Sequence, residues 1–100
     1  MHQRLIRYRT KPDQTAANEE LIRAVYAELR HTSPDGLSYA TFRLDDKVTF
    51  LHLVRTERDP NPLLAIRAFG EFQAGIADRW EDPPVQEPLT EIGSYRFFTS

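Results

Sequence analysis

The chain has 100 residues, of which 40% are hydrophobic and 11% aromatic, and its formal net charge is −2. That composition suits a single small packed domain spanning 1-100, and charges of both signs scattered along it leave no basic footprint for nucleic acid. Cysteine is absent, which excludes disulfides, thiolate nucleophiles and thiolate-held zinc or iron–sulfur centres.

The first segment, Gln3 to Arg9, alternates Leu5, Ile6 and Tyr8 with arginines and reads as a strand ended by Pro12. Asp13 is placed to cap a helix from Gln14 to Arg30, where Leu21, Ile22, Val25 and Leu29 share one face. Ser33-Pro34-Asp35-Gly36 is a turn signal. Leu37 to Val54 then forms two strand-like runs hinged on Asp45-Asp46. A two-residue turn would pair Leu44 with Lys47 and make Tyr39 and His52 direct neighbours. One face would then carry Leu37, Tyr39, Thr41 and Arg43 against Val48, Phe50, His52 and Val54.

Asn61-Pro62 starts a second helix, with Ala65, Phe69, Phe72, Ile76 and Trp80 in one stripe and Pro83-Pro84 as its end. Gly70 and Gly75 each weaken such a helix by about 1 kcal/mol relative to alanine. Val85 to Phe98 reads as a last extended segment closing on Tyr95, Phe97 and Phe98. The order β-α-β-β-α-β predicts an α+β, ferredoxin-like four-stranded antiparallel sheet with both helices on one face. Tyr8, Tyr39, Phe50, Val54 and Phe97 make the uncovered face too apolar for water, so a homodimer packed sheet to sheet is expected. The polar cluster around Tyr39 and His52 is accordingly expected to point into the barrel between two protomers.

His2, His31 and His52 have no metal-ligand spacing, and no phosphate loop, nucleophile elbow or imine-forming lysine is apparent, so neither a metal nor a cofactor is expected. No apolar run approaches the roughly 20 residues of a membrane span, and no secretory leader is visible, which predicts a soluble, cytoplasmic protein. His52 beside a phenol is suited to proton exchange near neutral pH. Equally, it is suited to satisfying Tyr39 inside an interface. Arg43 on the same face can bind an anion or simply pair with a carboxylate near the hairpin end. Phe69, Phe72 and Trp80 are accounted for as core by their helical spacing, with Arg79 and Arg96 as solvent or rim charges.

On the Gly36-Leu37-Ser38-Tyr39 strand entry, VTFLHLV (48–54), AFGEFQAGIADRW (68–80) and GSYRFF (93–98), the chain resembles the dimeric α+β barrel superfamily. Within it the likeness is to the antibiotic-biosynthesis-monooxygenase-like group. The resemblance implies a homodimeric barrel and a pocket between sheet and helices or near the dimer interface. It also implies a small aromatic or polyketide-like ligand and cofactor-independent oxygenase chemistry. His52 then stands as general base, Tyr39 as orienting hydroxyl, Arg43 as anion contact, and Phe50 with Trp80 as apolar substrate wall. The oxygenase members use an asparagine where this third strand has only His52. The haem-degrading members use a helix histidine that the second helix lacks. A non-catalytic dimeric ligand-binding or structural module, and an isomerase or decarboxylase on a similar ligand, are the alternatives.

Overall fold

A computed structural model describes residues 2–97. Strand β1 (His2–Thr10) leads through a 3-10 turn (Pro12–Gln14) to helix α1 (Thr15–Thr32), then to strands β2 (Leu37–Arg43) and β3 (Thr49–Thr56). A second 3-10 turn (Pro62–Ala65), helices α2 (Arg67–Gln73) and α3 (Ile76–Arg79), and strand β4 (Trp80–Pro88) follow. The four strands form one antiparallel sheet in the order β2-β3-β1-β4, the ferredoxin-like arrangement expected from the element order. No helix of the described residues is long and apolar enough to cross a membrane.

The β2–β3 hairpin keeps its predicted faces but not its predicted register. Thr41, not Tyr39, stands opposite His52, and Tyr39 stands opposite Val54. A two-residue type I′ turn requires positive φ at both central residues. Here Lys47 alone supplies one, at 73°. The loop is longer, with Lys47 N–H donating to the Leu44 carbonyl and Leu44 N–H to the Thr49 carbonyl. Asp46 holds it by accepting from the Val48 and Thr49 amides and the Thr49 hydroxyl. Those three donors hold the Asp46 carboxyl down at about 2. The slip is two residues, and an even slip leaves each side chain on its own face.

The larger correction concerns what covers that face. Tyr8, Tyr39, Thr41, Phe50, His52 and Val54 lie beneath the helices, where Tyr8, Phe50 and Val54 join Ile22, Val25, Leu63, Ile66 and Phe72 in the core. The outward face instead carries Leu5, Ala40, Leu51 and Leu53, half-buried, with Phe42 at 44% and Val85 at 59% exposure. Both faces alternate apolar residues, so periodicity alone could not say which one the helices take.

Helix α1 begins one residue later than expected. Gln14 occupies its N-cap without a side-chain bond, because Asp13 is taken into the preceding 3-10 turn. The second helical region is fractured rather than continuous. Asn61 caps its first turn through the Leu63 amide at 2.9 Å, as its sequence context suggests. The backbone then becomes extended at Ile66 and again at Ala74, and Gly75 has a φ of 73°, a left-handed value that suits glycine. Other elements satisfy the fragment ends. Both Glu28 carboxylate oxygens, from α1, accept the Arg67 and Ala68 amides at 3.0 and 2.9 Å.

Strand β4 likewise starts five residues before the predicted segment and contains Pro83-Pro84, tolerated because β4 is an edge strand. Two register irregularities against β1 bring Trp80 opposite Thr10 on the helix side. The expected closing strand at 93–98 does not form through Phe97, and Phe98 lies outside the described residues. Tyr95 there is 80% exposed, so it is not core.

Candidate functional site

Between the sheet and the fractured helix lies a cavity of about 440 Å³, within the range of small-molecule sites. Phe69, Phe72, Ile76, Leu63 and Trp80 make its apolar wall. Tyr8, Tyr39 and His52 enter from the strands, and Arg4, Asn61, Gln73 and Gln86 also border it. The indole Nε1–H of Trp80 is buried with no hydrogen-bond partner among the described residues, an unspent donor in the wall.

His52, 3% exposed, occupies the middle of a buried polar chain. Its Nε2 meets the Tyr8 hydroxyl at 2.9 Å, and its Nδ1 meets the Tyr39 hydroxyl at 2.6 Å and Thr41 Oγ1 at 3.2 Å. Tyr26 reaches the same Thr41 oxygen at 2.8 Å from α1. Beyond Tyr8 the chain continues to Asn18 Nδ2 at 2.9 Å, and from Asn18 Oδ1 to Arg79 Nε at 3.0 Å. The rings also stack, with His52 centroids 5.3 Å from Tyr8, 5.7 Å from Tyr39 and 5.7 Å from Phe72.

Burial controls the protonation of these groups. It pushes His52 down to about 4, so the imidazole is neutral at pH 7. Burial raises Tyr8 to about 12 despite the opposing pull of Asn18 and Arg79, and Tyr26 to about 12 despite Thr41. Tyr39 is raised further, by burial first and by its tyrosine neighbours next. Arg79 is 6% exposed, and burial lowers its pKa too, yet a guanidinium keeps its charge.

Of the expected site residues, the structure brings Tyr39, His52 and Trp80 to one cavity. It does not bring Arg43 or Phe50 there. Arg43 sits at the hairpin end, ion-paired with Glu19 of α1, which leaves its fork no reach into the cavity. Phe50 is packed behind Tyr8, ring centroids 5.5 Å apart and 2% exposed, and supports the site from the core. Sequence reasoning missed Tyr8, Asn18 and Arg79 as parts of the site. Asn18 had a legible signal, since it stands at i−4 from Ile22 on the buried stripe of α1. Among the described residues no cluster of three or more His, Asp or Glu could hold a metal ion.

No protein-family model matches the sequence, and no curated protein matches it. Solved structures do match. A presumed antibiotic biosynthesis monooxygenase from Nitrosomonas europaea superposes with a TM-score of 0.75 at 15% identity, covering 93% of this chain and 100% of that one. The Rv0793 structure from Mycobacterium tuberculosis gives 0.73 at 16% identity, over 93% of this chain and 96% of that one. PA3566 from Pseudomonas aeruginosa gives 0.74 at 17% identity, over 92% and 94%. The chain therefore shares the fold of these solved structures, one of which carries the description of an antibiotic biosynthesis monooxygenase.

Proposed function

We propose that this protein is a cofactor-independent, monooxygenase-like enzyme that binds a small aromatic or polyketide-like compound in the cavity between sheet and helices. The observation that carries the reading is the buried Tyr8–His52–Tyr39 chain opening into an otherwise aromatic-walled space of about 440 Å³. A planar ligand would lie among Phe69, Phe72 and Trp80, with a ring oxygen at the Tyr39 hydroxyl. Both ring nitrogens of His52 are bonded to phenols, so His52 meets the ligand through Tyr39, and direct general-base contact gives way to support of that hydroxyl. Tyr39 so backed stabilises a phenolate or enolate. Such an electron-rich anion reacts with O2 directly: the substrate supplies the electrons, a CH2 becomes a carbonyl, and the second oxygen atom leaves as water.

The protein would act in the cytoplasm as a homodimer, with the apolar outer sheet face covered by a second copy. Phe42 and Val85, 44% and 59% exposed, with half-buried Leu5, Leu51 and Leu53, give that face its apolar centre. A non-catalytic ligand-binding role is the second reading, favoured by the full engagement of both His52 nitrogens.

Trp80 is the single tryptophan of the chain and lines the cavity, so its fluorescence reports occupancy. Titration with 1,4-naphthoquinone and with 1-naphthol should give saturable quenching with Kd below about 1 mM, a modest binding energy near 4 kcal/mol. With 1-naphthol an oxygen electrode should record uptake above the protein-free rate, lost in Tyr39→Phe. Binding without uptake favours the second reading over the first. No saturable quenching by either compound overturns both.

A further inference from the structure

The direction of every proton in the buried chain follows from its one obligate donor. Arg79 Nε–H can only donate, so the Asn18 atom 3.0 Å away is the amide oxygen. The amide nitrogen then faces the Tyr8 oxygen, which accepts from it at 2.9 Å. Tyr8 has one proton of its own, and His52 Nε2, at 2.9 Å, is the acceptor for it. An acceptor Nε2 in a neutral ring places the proton on Nδ1, which donates to the Tyr39 oxygen at 2.6 Å, with Thr41 Oγ1 at 3.2 Å. Thr41 is also engaged by Tyr26 at 2.8 Å. In the opposite polarity Tyr8 would accept from both sides and bury its own proton unpaired, at a cost of about 1–3 kcal/mol.

We propose that Arg79 and Asn18 are positioning residues that lock His52 as the Nδ1–H tautomer and turn the Tyr39 proton toward the cavity. The ligand group held at Tyr39 is therefore an acceptor: a carbonyl, phenolate or enolate oxygen rather than a neutral donor. The ligand clause rests on the proposed function, whereas the direction of the chain does not.

Nitrogen-15 correlation spectra of the imidazole test the direction without any ligand. In the wild-type protein Nε2 should carry the pyridine-type resonance and Nδ1 the protonated one. Asn18→Asp offers a carboxylate to both Arg79 and Tyr8, so the Tyr8 proton turns away from His52. Nε2 then takes the ring proton, and the two resonances exchange character. The Tyr39 proton turns back to Nδ1, and affinity for the acceptor-only probe 1,4-naphthoquinone falls about tenfold or more. A protonated Nε2 in the wild-type protein overturns the proposal even where Asn18→Asp does not fold. An unchanged tautomer or unchanged quinone affinity in folded Asn18→Asp overturns it as well. Should 1-naphthol bind wild-type protein and the quinone not, the ligand clause is overturned; should neither bind, the proposed function fails, and in both cases the spectra still decide the direction.

Discussion

Protonation of His52 should destabilise the fold, and the size of the effect can be worked from its burial. The ring is 3% exposed, and burial moves its pKa from 6.5 to about 4. Between those values the unfolded chain binds a proton that the native state refuses, so stability rises with pH across that window. The contribution is fully present above about pH 6.5 and is lost as pH falls toward 4. A shift of about 2.5 units at about 1.4 kcal/mol each gives about 3 kcal/mol. For a small domain that corresponds to about 1–3 M in urea midpoint. Carboxylates also titrate near the lower end, so the informative quantity is the difference between wild type and His52→Gln, whose amide can replace one donor and one acceptor. Urea unfolding at fixed protein concentration, from pH 7.5 to pH 4, should show the wild type losing about 3 kcal/mol more than the variant. Parallel loss in the two proteins would refute the assignment of a buried, neutral His52.

Two other variants probe the chain and the outer face. Tyr8→Phe strands Asn18 Nδ2 and His52 Nε2 together and should cost about 2–3 kcal/mol, whereas Tyr39→Phe leaves Nδ1 its Thr41 partner and should cost about 1 kcal/mol; equal urea-midpoint losses would contradict the central place of Tyr8. Leu53→Glu puts a charge in the middle of the outward sheet face, and sedimentation velocity should show a wild-type dimer become a monomer. A monomeric wild-type protein would remove the homodimer proposal.

The sequence made the sheet legible through alternation and the first helix through its i, i+4 stripe, and it brought Tyr39 and His52 to one face. Their direct pairing did not hold, but the shared face survived the error in register because a slip of two residues does not change faces. Which face the helices cover was not legible, since Leu51 and Leu53 are as apolar as Phe50 and Val54. Their burial depends on where α1 lands, a long-range fact. Arg43 was expected at the site because it shares the face of His52. Face membership does not measure distance along the strand, and Arg43 ends beside Glu19 instead. Trp80 reached the cavity by a route that the pattern concealed: it opens an edge strand rather than closing a helix.

Arg79 shows why the fractured helix and the site belong together. A continuous helix through 62–80 would have spent the Phe72 and Ala74 carbonyls on its own amides. The break at Ala74 and Gly75 releases them, and the guanidinium donates to both while its Nε bonds Asn18. Its charge also lies 5.5 Å from the centre of the Phe72 ring, a wall of the cavity. These partners are all formally neutral, so the positive charge is solvated by dipoles and is not cancelled by a carboxylate. Every dipole from Asn18 through Tyr8 and His52 to Tyr39 then aligns with its positive end away from Arg79. Negative charge developing on a ligand oxygen at Tyr39 meets the positive end of that whole row. In the proposed proton order, the irregularity in the backbone supplies the cation, the cation orders the dipoles, and dipoles so ordered would favour an oxyanion in the cavity.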